Sequence, residues 1–132
     1  MSGRPRRRRQ PAPSSQLGLL DAPRYESAAA ALSDVIEVAA VFTGRRGEWA
    51  ALQARVNVAL PFIGYDPRAL DALREAVAPA GSLWGRSGRT DAARWQVVRW
   101  EGESCCLRSD GGTNDRRHGR DLILGATWRR IN

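Results

Sequence analysis

The chain has 132 residues, 42% apolar and 27% charged, which suits one ordinary globular domain or a smaller domain with a tail. Its formal net charge is +7 and all 21 basic residues are Arg, so a Walker-type phosphate loop and a Schiff-base lysine are excluded. A single His, His118, and two adjacent cysteines, Cys105 and Cys106, exclude a multi-histidine centre and fall short of a four-ligand zinc site.

Residues 1–16, MSGRPRRRRQPAPSSQ, hold five Arg and no acid, with almost nothing to bury, and are expected to form a disordered tail. The basic run is followed by QPAPSSQLG, which lacks the apolar core of a secretion signal. Residues 22–42 read as an amphipathic helix, with Asp21 as N-cap and Pro23 in the first turn. Tyr25, Ala29, Leu32, Ile36, Ala39 and Ala40 share its apolar face. The longest apolar stretch of the chain, Ala28 to Phe42, is interrupted by Ser33, Asp34 and Glu37 and is too short and too charged to span a bilayer. After the TGRRG turn, residues 48 to about 60 read as a second helix with Trp49, Leu52, Val56 and Leu60 on one face; the alternating Val of Arg55 to Leu60 also fits a short strand, and Pro61 ends the element either way. The clearest helix start follows, with Asp66 as cap and Pro67 at the first helical position. Leu70, Leu73 and Val77 form that helix's buried stripe, and Pro79 and Gly81 stop it.

Residues 82–93, SLWGRSGRTDAA, read as a Gly/Ser-rich connector docked by Trp84. Beyond it the period changes to two. Arg94–Trp100 and Glu103–Ser109, joined at Glu101-Gly102, read as a β-hairpin. Strict alternation places Trp95, Val97 and Arg99 on one face of the first strand and Gln96, Val98 and Trp100 on the other. Residues 113–120, TNDRRHGR, read as a polar basic loop. Leu122–Leu124 and Thr127–Ile131 read as short strands, with Gly125 as a kink or bulge. The two cysteines, pointing to opposite faces, are expected to act as small strand residues in a reducing compartment, without a bridge between them.

The charge is uneven. Residues 10–85 hold six Arg against eight acids, while residues 86–132 hold ten Arg against six. GC-rich coding explains an all-Arg bias that runs through the whole chain; bidentate contact with phosphate or a base is the functional alternative. Two arginine groups are candidates for such contact. One is the tail, Arg4, Arg6, Arg7, Arg8 and Arg9. The other is the C-terminal set Arg99, Arg108, Arg116, Arg117, Arg120, Arg129 and Arg130, with Trp100 as the expected exposed aromatic and Trp95 and Trp128 as core. The loop around His118 offers a remote enzymatic alternative. There His118 would act with Asp110, Asp115 or Asp121 in a metal-free, nuclease-like site, or with Cys105 or Cys106 as nucleophile. No motif supports either, and no catalytic residue, metal or cofactor is expected.

Helices followed by strands indicate an α+β fold. About three helices in residues 17–81 precede the connector and a small antiparallel sheet in residues 94–132, which could curl into an SH3-like barrel. The expected function is that of a small nucleic-acid-binding accessory or regulatory protein. It would be cytoplasmic, or nuclear in a eukaryotic or viral setting, and would not bind membranes. The alternative is a protein-binding module, such as a phage or viral assembly component or an inhibitor of a host enzyme. Its helical region would contact a protein partner or a second copy of the chain.

Overall fold

A computed structural model describes residues 25–86 and 93–132. The arginine tail, the Asp21 cap with Pro23, and the part of the connector at 87–92 lie outside the described residues.

Three helices come first. In α1 (Ala28–Ala40) the Ser27 hydroxyl accepts the Ala30 N–H at 3.1 Å and caps the helix. Ala31, Val35 and Ala39, one turn apart, are its buried stripe, and the small alanines let α1 lie close against its neighbours. The basic turn that follows is organised by Glu48. Its carboxylate accepts the N–H groups of Thr43, Gly44 and Arg45 at 2.7, 2.9 and 3.3 Å. Gly44 is required there: its φ is +86°, and a Cβ would lie 2.2 Å from the Ile131 carbonyl oxygen.

Helix α2 (Glu48–Ile63) buries Leu52, Val56, Ala59 and Ile63. Pro61 does not end it, as expected from the sequence, but sits inside its last turn. A proline so near the C-terminus removes only one late hydrogen bond, and the helix closes at Gly64, whose N–H reaches the Leu60 carbonyl at 3.0 Å. Helix α3 (Pro67–Val77) starts as its sequence indicates, with the Asp66 carboxylate accepting the Arg68 N–H at 3.1 Å.

The sheet follows: β1 (Leu83–Arg86), β2 (Trp95–Glu101), β3 (Ser104–Ser109) and β4 (Asn114–His118), then α4 (Gly119–Leu124) and β5 (Trp128–Arg130). The strand order is β4-β3-β2-β1-β5, and every pairing is antiparallel. The architecture is therefore α+β with a C-terminal antiparallel sheet. No ladder joins the edges β4 and β5, so the sheet stays open and the SH3-like barrel is not realised. Side chains reach across the gap between the two ends of the sheet. Arg86 of β1 reaches Asp115 of β4 at 3.3 Å and stacks 4.9 Å from the Trp95 and Trp128 ring centres, and Arg117 of β4 lies 5.8 Å from that of Trp128.

Four elements depart from the sequence expectation. The helix expected over 22–42 begins at Ala28, and Ala29, Ile36 and Ala40 of its expected apolar face are exposed. The connector contains β1, which lies between β2 and β5 in the sheet, and its Trp84 is fully buried. The loop at 113–120 is largely β4, a strand without one apolar residue. The strand expected at Leu122–Leu124 is helix α4.

Helices and sheet share a single core. Trp84 is its centre: its ring meets Trp49 of α2 edge-on at 4.9 Å, and its indole N–H donates to the buried Ser82 hydroxyl at 3.0 Å. The Gln53 amide of α2 donates to the Ile123 and Gly125 carbonyls, which ties α4 to the helical layer. Among the described residues no helix is long and apolar enough to cross a membrane.

Candidate nucleic-acid interface

One irregularity in β2 decides where the arginines point. Val97 pairs with Leu107 but Arg99 pairs with Cys106, so Val98 is an extra residue, a β-bulge. The bulge reverses the alternation beyond it. Trp95 and Val97 point into the core as expected, but Arg99 turns out and Trp100 turns in, opposite Cys105. The expected sharing of one face by Trp95, Val97 and Arg99 is thus corrected.

The outer face that results is basic. Arg99, Cys106 and Arg116 form one cross-strand row, and Gln96, Arg108 and Asn114 form another. Arg99 and Arg116 stand two strand spacings apart, about 10 Å at the backbone. They flank a shallow depression of about 420 Å³ that Arg108 and Cys106 also line. The acid on this face is Glu101. One of its oxygens accepts from Arg99 Nε at 2.8 Å and the other from Arg116. These partners, Arg99 first, hold its carboxyl below the usual carboxylate range. Arg108 donates to the neutral Asn114 side chain at 3.1 Å. Three guanidiniums against one carboxylate leave the face positive.

The other predicted residues do not join this face. Arg117 turns inward, where it pairs with Asp115 at 3.0 Å and covers Trp128. Arg130 donates to the Val77 carbonyl at 3.1 Å and lies over Phe42, and burial pulls its pKa down. Both therefore serve packing. Arg129 is exposed on the edge strand β5, and Arg120 is exposed on α4. Trp100 is not an exposed stacking platform. It packs against the core, and its indole N–H donates to the Ala78 carbonyl at 2.9 Å. Gly119 makes room for it, since a Cβ there would lie 3.0 Å from the Trp100 ring. Arg4, Arg6, Arg7, Arg8 and Arg9 lie outside the described residues.

The chemistry considered around His118 changes as well. The imidazole pairs with Glu103 at 3.0 Å, not with Asp110, Asp115 or Asp121. Cys105 is fully buried, and that burial, with Cys106 beside it, pushes its thiol up to about 12, so it stays protonated and unreactive. Among the described residues no cluster of three or more His, Cys, Asp or Glu could hold a metal. Sequence reasoning missed Glu101 as partner of two arginines and Arg86 as the cation between the two core tryptophans. A bulge reverses the faces without any signal in residue type, so the first could not be read. The second was hidden in the Gly/Ser connector.

No family model, curated protein or solved structure matches this chain.

Proposed function

We propose that this chain is a small nucleic-acid-binding accessory protein whose sheet face contacts phosphates through Arg99, Arg108 and Arg116. The observation that carries the reading is the convergence of these three guanidiniums, from three adjacent strands, around one shallow polar depression; of the two carboxylates nearby, Asp115 is already held by Arg86 and Arg117, which leaves Glu101 as the acid that pairs with this set. Guanidinium forks suit phosphate oxygens, and three of them on one surface match a backbone of regularly spaced charges. Such contacts position a protein on nucleic acid without reading its sequence, so affinity with little sequence preference is expected. The tail arginines Arg4, Arg6, Arg7, Arg8 and Arg9 would add phosphate contacts of the same kind. Arg120 and Arg129, though exposed, stand apart from this face.

Fluorescence anisotropy with a short labelled duplex and a single strand of the same sequence tests the reading. At low salt the intact chain should bind. Replacing Arg99, Arg108 and Arg116 together with Gln should weaken binding at least tenfold, while Arg129→Gln should change it little. Equal binding by the triple variant would remove the face from the account.

A second reading, a module that binds another protein, has its own support. Tyr65 is 96% exposed, and Phe62 and Val41 are also exposed on the helical side. It becomes the preferred reading if no nucleic acid binds at low salt.

A further inference from the structure

A second concavity lies away from the arginine face and shares no residue with it. It is a groove of about 610 Å³ between the C-terminal half of α2, α3 and α4, within the size range of small-ligand sites. Leu60, Leu70, Leu73 and Ile123 give it an apolar floor, and the almost fully exposed Tyr65 stands at its lip. Its lining carries two arginines and one glutamate. Arg74 is held by Asp71 at 2.9 Å, while Glu103 is hydrogen-bonded at 3.0 Å to the His118 imidazole, whose other nitrogen accepts a backbone N–H and so brings no positive charge to the carboxylate. Arg120 also lines the groove. Its backbone N–H donates to the His118 ring at 3.1 Å, but its guanidinium has no ion-pair partner among the described residues.

An apolar bowl whose wall carries a guanidinium without an ion-pair partner, Arg120, complements an apolar body whose one negative charge lies at the Arg120 end of the groove, away from Glu103. We propose that this groove binds a small amphipathic monoanion, a carboxylic acid with a compact aromatic or branched aliphatic body. The body would cover the leucines and Ile123, and the carboxylate would pair with Arg120. The guanidinium favours a carboxylate because its planar fork can donate two parallel hydrogen bonds. A neutral ligand of the same shape would keep the apolar contact and lose the pairing. A dianion would gain little, since Arg74 is already held by Asp71 and the Glu103 carboxylate would repel a second negative charge.

Chemical-shift mapping on the full chain tests this, with 4-phenylbutyrate and its neutral amide, 4-phenylbutanamide, as probes. The expected result is saturable one-to-one binding of the acid, with shifts centred on Leu60, Leu70, Tyr65 and Ile123. The amide should bind the same residues about fivefold more weakly, the scale of a partly exposed ion pair. Arg120→Gln should reduce the acid to the level of the amide without altering the spectrum elsewhere, and Arg129→Gln should have no effect. Scattered or non-saturable shifts, equal affinity for acid and amide, or an unaffected Arg120→Gln protein would each overturn the proposal. Shifts in the groove that depend on protein concentration without any probe would identify a second copy as the occupant and overturn it too.

Discussion

Glu101 is the residue on which the basic face turns. Its carboxylate holds Arg99 and Arg116, so it fixes their geometry and also competes with any phosphate for them. Glu101→Gln keeps the shape, removes the competing charge, and frees both guanidiniums. The variant should bind nucleic acid several-fold more tightly than the natural chain, as read by anisotropy at low salt; weaker binding would show that the carboxylate's positioning role dominates. The adjacent cysteines make a second residue-level contrast. Cys105 is sealed in the core with its thiol pushed up to about 12, whereas Cys106 lies on the outer face among the arginines. A thiol reagent at neutral pH should therefore modify one cysteine per native chain, and both after denaturation. Two fast-reacting thiols in the native protein would contradict the assigned strand faces.

At the scale of elements, α1 and α2 are joined by a polar triad. The Tyr25 hydroxyl donates to Asp34, and Arg55 Nη1 reaches both oxygens of that carboxylate at 2.9 and 2.8 Å. Burial works against the Asp34 charge, but the Tyr25 and Arg55 hydrogen bonds outweigh it and leave its pKa below the ordinary value of 3.8. A carboxyl whose pKa is depressed by folding adds stability that is present above its unfolded pKa and is lost as pH falls through the folded one. Tyr25 has the opposite sign. Burial and then the Asp34 hydrogen bond raise its pKa above 10.0, so its contribution holds below pH 10 and fades above it. Denaturant midpoints measured against pH should fall below about pH 4 and again above about pH 10. Asp34→Asn should flatten the acid limb. An unchanged acid limb in that variant would show that other carboxylates control it.

The elements also show what a sequence can express. Helix α3 was legible to the residue, because Asp66, Pro67 and the Leu73–Val77 stripe act locally. The hairpin of β2 and β3 was legible from its period of two. Strand β4 was not, because NDRRH has no apolar alternation. It is a strand because the free edge of β3 needs a partner, and because Arg86 and Arg117 neutralise its inward-facing Asp115. Helix α4 was misread because three apolar residues are too few to show a period. Its conformation follows from the Gly119 contact with Trp100 and the Gln53 bonds at its end. Of the predicted interface, Arg99, Arg108 and Arg116 were brought together, while Arg117, Arg130 and Trp100 were claimed by packing.

For the whole molecule, one shared core means that helices and sheet should unfold together. Trp84 joins the two layers, and its truncation to Ala should cost about 3–5 kcal/mol. That is a large part of the roughly 5–15 kcal/mol available to a domain of this kind. Far-UV circular dichroism, which follows the helices, and tryptophan fluorescence, which follows the sheet and its junction, should give coincident transitions in the natural chain and in Trp84→Ala. Separate transitions would show two independently stable parts. Around this shared core the charge is uneven: residues 10–85 are mildly acidic, and the sheet face presents the arginine cluster.

The most direct measurement of the central claim is the salt dependence of nucleic-acid affinity in the full chain and in the triple Arg99, Arg108 and Arg116 to Gln variant. Each neutralised phosphate releases condensed counterions. With about six contacts shared between the tail and the sheet face, affinity should fall roughly a thousandfold between about 50 and 200 mM salt. The triple variant should lose about three contacts' worth of that slope, whatever the sequence of the nucleic acid. Binding that is tight but insensitive to salt, or a slope that the triple variant leaves unchanged, would contradict the account.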